Sequence, residues 1–182
     1  MTTDDIREAL LSQRQPHDAT PPAKPGVYAF FLKPRGQLLP IAPGVEGLLY
    51  IGLTHDGLDV RNHFMQENSG FSTLRRSLGA ILRTHLQLQP CPRAPGASET
   101  NTRNYAFAGD GEAILSRWMR ANLLASMPPL PGTHLEKLET ELITTLEPPL
   151  NLTGWDNPQR PLIKRLRASC VSMAKDLARA AA

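Results

Sequence analysis

The sequence predicts an α/β (α+β) fold in which a small, mainly antiparallel sheet of three strands is flanked by helices. Two segments rich in apolar and aromatic residues, 26–32 and 47–53, have the composition of strands, and a third, 122–127, is stopped by Pro128. Apolar residues recur at helical spacing in the remaining long segments, which are 72–86, 111–121, 133–147 and 161–180. A chain of 182 residues has the length of one domain.

Composition excludes several classes of protein. The 20 basic and 17 acidic residues give a net charge of +3, which is too small to identify a partner by itself. Two cysteines, Cys91 and Cys170, are too few for a disulfide framework or a four-cysteine zinc site. No stretch is apolar for long enough to span a membrane. We therefore expect a cytoplasmic protein that does not associate with membranes.

The elements follow one another with clear breaks. A helix at 4–14 leads into a proline-rich connector that ends at Pro25, so residues 1–25 precede the first long strand. The Gly- and Pro-containing segment 33–46 joins the first two strands as a long hairpin loop, which makes them antiparallel. A short helix is expected at 57–66, and Asp110 is the expected N-cap of a helix that buries Ile114 and Trp118. We expect one domain at 26–157, with residues 158–182 forming an amphipathic basic helix packed on it.

Glu139 stands out on the 133–147 helix. At 100° per residue it falls on the same face as Leu135, Leu142 and Leu146, whereas the other glutamates of this helix fall at the edge of that face or outside it. An ionised carboxylate among apolar side chains needs a cation, which is either a basic residue or a metal ion. A buried Glu–Arg pair and a metal site are both compatible with the pattern.

Four further positions attract attention. Arg61 lies three residues after Leu58 and four before Met65, on a face that would otherwise be apolar, so it is either a snorkelling side chain or an inward cation. Tyr28 and Tyr50 occupy neighbouring strands and share a face if the register allows it, although most strand tyrosines only pack. Asn151 follows the Pro148-Pro149-Leu150 turn and has the position of a turn or cap residue.

These residues occur in an order that resembles the GIY-YIG nuclease superfamily. Gly26-Val27-Tyr28 and Tyr50-Ile51-Gly52 are similar to its paired tripeptides, and the stretch from Glu139 to Asn151 is similar to its metal-site helix and following loop. Segments 70–82 and 111–119 resemble a bacterial, largely uncharacterised subgroup of that superfamily. The resemblance covers about residues 26–151.

The resemblance implies a divalent-metal-dependent endonuclease, with roles for particular residues. Glu139 would bind one cation, Mg²⁺ with Mn²⁺ as a substitute, and Arg61 would stabilise the phosphate during cleavage. Tyr28 would be the leading candidate for general base or water-positioning residue, and Tyr50 would complete the site. Asn151 would hold the loop or a phosphate near the metal.

Two departures from the superfamily pattern affect these roles. Leu53 stands where a lysine is common, and the usual position of the helical arginine falls on Asp59 or Val60, so Arg61 followed by His63 is the nearest match. Arg75 is a second candidate for the catalytic arginine, because helical spacing places it at the margin of the apolar face. Arg76 and Arg83 fall on the polar side, where contacts with backbone phosphates are expected.

The distribution of charge supports a nucleic-acid partner. Residues 61–93 contain five arginines against one glutamate, and residues 160–182 contain six basic side chains against one aspartate. Residues 132–157 contain five acidic side chains against one lysine. Two basic segments around an acidic cation site suit an enzyme that binds phosphates, although solvated amphipathic faces would have the same charges. The resemblance makes DNA, duplex or branched, the expected partner. Lys164, Arg165 and Arg167 are expected to contact it together with Arg76 and Arg83.

Two other interpretations remain open at this point. One is a catalytically degenerate GIY-YIG-like module that binds nucleic acid without cutting it, which Leu53 and the shifted arginine favour. The other is a purely structural Glu139–Arg61 ion pair with no metal.

Overall fold

The computed structural model of the protein describes residues 2–60, 68–93, 103–128 and 134–180. Five helices and six strands lie in these ranges, in the order α1 (Thr3–Ser12), β1 (Arg14–Pro16), β2 (Gly26–Leu32), β3 (Leu48–Thr54), α2 (Thr73–Leu82), β4 (Pro90–Cys91), β5 (Ala106–Phe107), α3 (Gly111–Asn122), β6 (Leu123–Ser126), α4 (Leu135–Leu146) and α5 (Arg160–Ala180). Short 3₁₀ turns lie at Val45–Gly47 and Ser69–Phe71. None of the described helices has the length and apolar character needed to cross a membrane.

The main sheet has four strands where the sequence predicted three. Its order is β1-β6-β2-β3, and every neighbouring pair is antiparallel. The additional strand, β1, lies in the segment predicted as helix and connector, and it pairs with β6 from Arg14↔Ser126 to Pro16↔Leu124. Three polar or proline residues have no strand periodicity of their own, so only the pairing with β6, whose residues lie 108 to 112 positions further along the chain, reveals this strand. The β4 and β5 strands form a separate two-stranded sheet.

Alternate residues of β2 pack into two different hydrophobic clusters, which places helices on both faces of the main sheet. Val27, Ala29 and Phe31 pack with residues of α1 and α4. Tyr28, Phe30 and Leu32 pack with residues of α2, α3 and α5. Every residue of β2 is buried, as expected for an inner strand that is covered on both sides. The domain therefore has three layers, with β3 at one edge of the sheet.

The helices agree with the predicted positions to within a few residues, and their ends have local causes. A capping box joins Thr2 and Asp5 at the start of α1, and the Ser72 hydroxyl accepts a hydrogen bond from the Arg75 backbone at the start of α2. Asp110 occupies the N-cap of α3 but makes no side-chain cap hydrogen bond.

The buried face of α3 differs from the predicted one. Leu115, Ser116 and Met119 are buried, whereas Ile114 and Trp118, which were expected to be buried, are half-buried at its margin. The prediction was therefore wrong by about one residue around the helix, because spacing fixes the width of an apolar face but not which part of it meets the sheet.

The helix predicted at 57–66 lies mostly outside the described residues. Its first four residues, 57–60, are described and are not helical.

Candidate active site

Tyr28 and Tyr50 lie side by side on one face of the sheet. The antiparallel register pairs Tyr28 with Gly52 and Phe30 with Tyr50, so all four positions point to the same side. The two tyrosine rings are tilted by 40° with their centroids 6.3 Å apart. Tyr28 is fully buried and Tyr50 is half-buried. From the sequence, the two tyrosines share a face only if the register allows it, and the observed register places them on the same face.

Gly52 makes room for this pair. A Cβ on residue 52 would lie 2.6 Å from both Cζ and Oη of Tyr28 and 3.0 Å from Cε1 of Tyr50. Such distances are below ordinary van der Waals contact, so no larger residue fits here without moving a ring. Glycine is therefore required at position 52 because the ring of Tyr28 occupies the space of a side chain, and not because of a backbone conformation that only glycine adopts.

Glu139 lies on the opposite layer, in helix α4. Its neighbours one turn away on the same face, Leu135, Leu142 and Ile143, are buried against the sheet, but Glu139 itself is only half-buried. The carboxylate therefore lies at the margin of the buried face and keeps partial access to solvent. Among the described ranges, no group of three or more His, Cys, Asp or Glu side chains is arranged to hold a metal ion.

The chain passes from the α4 layer to the tyrosine layer around the outer edge of β3. After α4, the Leu150 N–H donates to the Leu49 carbonyl, and Leu150 packs in the cluster that contains Tyr28. Asn151 then pairs with Ile51, the central residue of Tyr50-Ile51-Gly52. Its Oδ1 accepts from the Ile51 N–H at 2.9 Å, and its Nδ2 donates to the Ile51 carbonyl at 2.8 Å.

The side-chain amide of Asn151 thus pairs with β3 in the way that the backbone of a neighbouring strand would. It is 9% exposed, and both atoms of its amide are engaged with the Ile51 backbone. Of the two roles that the resemblance allowed, this geometry supports holding the loop.

Two residues that the sequence did not single out fix the rest of this loop. Trp155 donates from Nε1 to the carbonyls of Pro148 and Asn151, and Asn157 donates from Nδ2 to the carbonyls of Pro149 and Asn151. The Asn157 side chain also accepts from the Gln159 backbone next to the start of α5. Sequence periodicity does not indicate either residue, because both lie in a loop and bond to backbone carbonyls of that same loop.

Arg75 faces inward, as the sequence predicted, but toward a carboxylate. Its side chain is 2% exposed, and Nη2 donates to Glu112 Oε2 at 2.7 Å. Glu112 also accepts from the backbone N–H groups of Ser69 and Phe107 and from the Ser69 hydroxyl. The sequence did not single out Glu112, because it is an ordinary first-turn acidic residue of α3.

Arg76 is buried, which corrects its predicted place on the polar side of α2. Its guanidinium donates to the carbonyls of Ser69 and Gly70 and to the Thr73 hydroxyl. Burial lowers the pKa of Arg76, and the positive charges of Arg167 and Arg93 lower it further. Helical spacing places Arg76 outside, but its guanidinium is taken up by the Ser69–Phe71 turn that precedes α2.

Helices α2 and α5, which carry several basic residues, pack on the face of the sheet that carries Tyr28 and Tyr50. Arg167 of α5 is near Arg76, and Tyr50 is also close enough to Arg76 to affect its pKa, in the raising direction. Arg83 and Arg167 are half-buried, while Lys164 and Arg165 are exposed. The described parts of the two basic segments predicted from the sequence therefore lie side by side, because α2 contacts α5 and both pack into the cluster that contains Tyr28. Arg61 and His63 lie outside the described residues.

Comparison with known proteins identifies the family of the domain. A family model described as a GIY-YIG catalytic domain matches residues 26–169. The match begins at the first residue of β2 and ends within α5, so it includes both tyrosines, Glu139 and Asn151. At the significance required, no curated protein and no solved structure matches the chain. The chain belongs to the GIY-YIG family of catalytic domains, and its domain is of the nuclease type.

Proposed function

We propose that this protein is a divalent-metal-dependent endonuclease that hydrolyses phosphodiester bonds in DNA. The observation that carries the proposal is the tyrosine pair, which the β2–β3 register and the absence of a side chain at Gly52 bring together beside the basic helices. Two phenols next to a positive surface suit a reaction in which water attacks a phosphate group.

DNA would bind along α2 and α5. Arg83, Lys164, Arg165 and Arg167 are at least partly exposed and have the charge that backbone phosphates require. The guanidinium of Arg76 already donates to protein oxygens, so we assign it to the local positive field and not to direct contact. Arg75 is likewise assigned to the ion pair with Glu112 and not to the phosphate.

The donor set at Glu139 fits one divalent cation of the Mg²⁺ type. Mg²⁺ retains several waters and commonly needs only one or two carboxylates together with substrate phosphates. A single half-buried carboxylate, on a face whose neighbouring leucines are buried, is compatible with that requirement. When bound there, Mg²⁺ or Mn²⁺ would supply charge stabilisation for the phosphate.

The protein's own residues would position the reacting groups. We assign Tyr28 and Tyr50 to orienting the attacking water or accepting its proton, and Asn151 to holding the loop after α4 against Ile51. The resemblance assigns Arg61, with His63 nearby, to the phosphate. The two layers would act together at the outer edge of β3, where the chain joins them.

The proposed place of action is the cytoplasm. Cys91 and Cys170 are both free thiols, one half-buried and one buried, which is typical of proteins from reducing compartments.

Nicking of supercoiled plasmid in the presence of Mg²⁺ or Mn²⁺ tests the proposal. Glu139→Gln should reduce nicking about a hundredfold or more, because an amide is a much weaker cation ligand than a carboxylate. Glu136→Gln on the same helix is the matched control, since Glu136 is exposed and pairs with His55 at 2.9 Å. Nicking that survives Glu139→Gln would contradict the metal-ligand role. A loss of thermal stability without metal dependence would favour the structural Glu139–Arg61 pair.

A second candidate is a DNA-binding module of the same fold that does not cut. Leu53, in place of the usual lysine, is the observation that favours it. Salt-sensitive DNA binding that needs no metal, without cleavage of any DNA form, would support this function and overturn the enzymatic one.

A further inference from the structure

Asn157 is a buried asparagine, 5% exposed, in the loop between α4 and α5. Its Nδ2 donates to the carbonyls of Pro149 at 2.8 Å and Asn151 at 3.0 Å, and its Oδ1 accepts from the Gln159 N–H at 2.9 Å. Its backbone carbonyl accepts from the N–H of Arg160, the first residue of α5. Both polar atoms of the side chain are therefore engaged, as a buried amide requires.

The far end of this set of bonds is fixed in the hydrophobic core. Ile163, in the first turn of α5, is fully buried and belongs to the cluster that contains Tyr28. The Ile163 N–H donates to the carbonyl of Gln159. Asn157 therefore connects the loop after α4 to a helix whose first turn is packed in the core.

The near end of this set of bonds reaches the outer edge of β3 through Asn151. β3 lies at an edge of the main sheet, with β2 on its inner side. On its outer side, the amide of Asn151 takes the place of a strand at Ile51. Tyr50 and Gly52 flank Ile51 on β3. The position of Asn151 therefore affects the strand that carries both of them.

The pairing of Asn151 with Ile51 tolerates little displacement. It consists of two hydrogen bonds of 2.9 and 2.8 Å to one backbone residue, and such bonds weaken steeply with distance and angle. The backbone of Asn151 is held at its carbonyl, which accepts from Nδ2 of Asn157 and from Nε1 of Trp155 at 3.2 Å. Trp155 lies within the loop, whereas Asn157 also bonds to the segment that begins α5.

We propose that Asn157 is a positioning residue of the proposed nuclease site, which acts through Asn151 to hold β3, and with it Tyr50, in place. Asn157 does not touch the reacting groups in this role. The inference rests on the proposed function for its effect on cleavage, whereas its effect on β3 is measurable without DNA.

Hydrogen exchange of single backbone amides, followed by NMR on the 182-residue protein without DNA, tests the effect on β3. In Asn157→Ser, the shorter side chain still caps the Gln159 N–H but does not reach the Asn151 carbonyl. The Ile51 N–H should exchange about tenfold faster than in the wild type, because its bond to Asn151 opens more often. Amides of the inner strands β2 and β6 should change less. Asn157→Asp, which also keeps an acceptor and loses the donor, should give the same result at Ile51.

Gln159→Ala is the matched control. The Oε1 of Gln159 accepts from the Ala42 N–H, and its Nε2 donates to the Ala42 carbonyl, both at 2.8 Å. This substitution also removes two hydrogen bonds from the same segment, but they lead to the loop between β2 and β3 and not to Asn151. Exchange of the Ile51 N–H should therefore stay within about twofold of the wild type.

Plasmid nicking with Mn²⁺ at saturating protein measures the consequence for the reaction. Asn157→Ser should nick about tenfold more slowly, because Tyr50 is less well placed. Its Kd for duplex DNA, measured in EDTA, should stay within about twofold of the wild type, since the basic side chains of α5 are unchanged. A role in stability alone would lower the unfolding temperature and accelerate exchange throughout the sheet, but it would leave the rate of the folded protein unchanged.

Unchanged exchange at Ile51 in both Asn157 variants, equal acceleration at Ile51 and in β2, or an equal effect of Gln159→Ala would overturn the inference. Faster Ile51 exchange with unchanged nicking would support the nuclease and overturn the positioning role. Faster Ile51 exchange in a protein whose wild type nicks no DNA would support the connection to β3 and contradict the proposed function.

Discussion

The ring of Tyr28 lies directly over Gly52, its register partner on the neighbouring strand, at a distance that leaves no space for a Cβ. Tyr28 is fully buried and packs edge-on against Phe30, with ring centroids 5.8 Å apart. Movement of the ring would therefore disturb its packing against Phe30. The final glycine of Tyr50-Ile51-Gly52 and the tyrosine of Gly26-Val27-Tyr28 form one packing unit across two strands.

Gly52→Ala should consequently damage the site more than it damages the fold. The added methyl group must displace Tyr28 or Tyr50, at a cost of about 1–3 kcal/mol in unfolding free energy. Displacement of a phenol from the reacting position should reduce plasmid nicking by about tenfold or more. Urea unfolding and nicking rates measured on the same preparation check both effects.

Gly26→Ala is the matched control for this substitution. A Cβ at position 26 would meet Leu58 Cδ1 at 3.5 Å and the Pro128 carbonyl at 3.8 Å, which are ordinary contacts. Gly26→Ala should therefore leave both stability and nicking near the wild-type level. Equal effects of the two substitutions would contradict the packing explanation.

Asn151 should behave as a structural tie and not as a phosphate ligand. Asn151→Ala removes both hydrogen bonds to Ile51 and leaves a buried N–H and a buried carbonyl without them, which costs about 2 kcal/mol or more. Asn151→Asp should be at least as harmful, because it places a carboxylate oxygen opposite the Ile51 carbonyl. Thermal unfolding monitored by circular dichroism measures both losses.

Asn122→Ala serves as the comparison for Asn151, since the Asn122 side chain makes one hydrogen bond to the Trp118 carbonyl and is half-buried. Its effect should be smaller. Loss of nicking in Asn151→Ala with unchanged thermal stability would instead indicate direct contact with the substrate.

The sequence predicted those parts of the fold and site that depend on local period. Alternation along each strand limited Tyr28 and Tyr50 to two possible arrangements, of which the β2–β3 register selects the shared face, and helical spacing placed Glu139 beside the buried residues of α4. Contacts between distant segments were not predictable in the same way. Strand β1 forms only by pairing with β6, and Arg75 bonds to Glu112, which lies 37 residues further along the chain. Helical or strand periodicity predicts that a side chain points inward, but it does not identify the group that this side chain contacts.

The Arg75–Glu112 pair should contribute to stability and only indirectly to catalysis. Arg75 is 2% and Glu112 is 16% exposed, so removal of one partner leaves a charge in the interior. Glu112→Gln or Arg75→Met should lower the unfolding free energy by about 3 kcal/mol, and the double variant should lose less than the sum of the two. Urea unfolding of the four proteins provides the cycle.

Arg117→Met on α3 is the control, because Arg117 is exposed. A phosphate ligand at position 75 would give a different result, namely reduced nicking in Arg75→Lys with unchanged unfolding free energy.

His17 should make the protein lose stability as the pH falls. Burial lowers the pKa of His17 to about 4, and the nearby positive charges of Arg75 and Arg120 act in the same direction. A histidine in the unfolded chain has a pKa of about 6.5, so the unfolded state takes up the proton first. The neutral side chain therefore contributes fully above pH 6.5, and its contribution falls between pH 6.5 and pH 4, by about 3 kcal/mol in total.

Comparison of the wild type with His17→Leu isolates this effect from the titration of carboxylates, which both proteins share. His17 is 8% exposed and its ring lies 5.5 Å from that of Phe30, so leucine retains an apolar contact there. The difference in unfolding free energy between the two proteins should shift in favour of His17→Leu by about 1 kcal/mol per pH unit below pH 6. A difference that does not change from pH 7 to pH 4.5 would mean that His17 carries its proton in the folded protein as readily as in the unfolded chain.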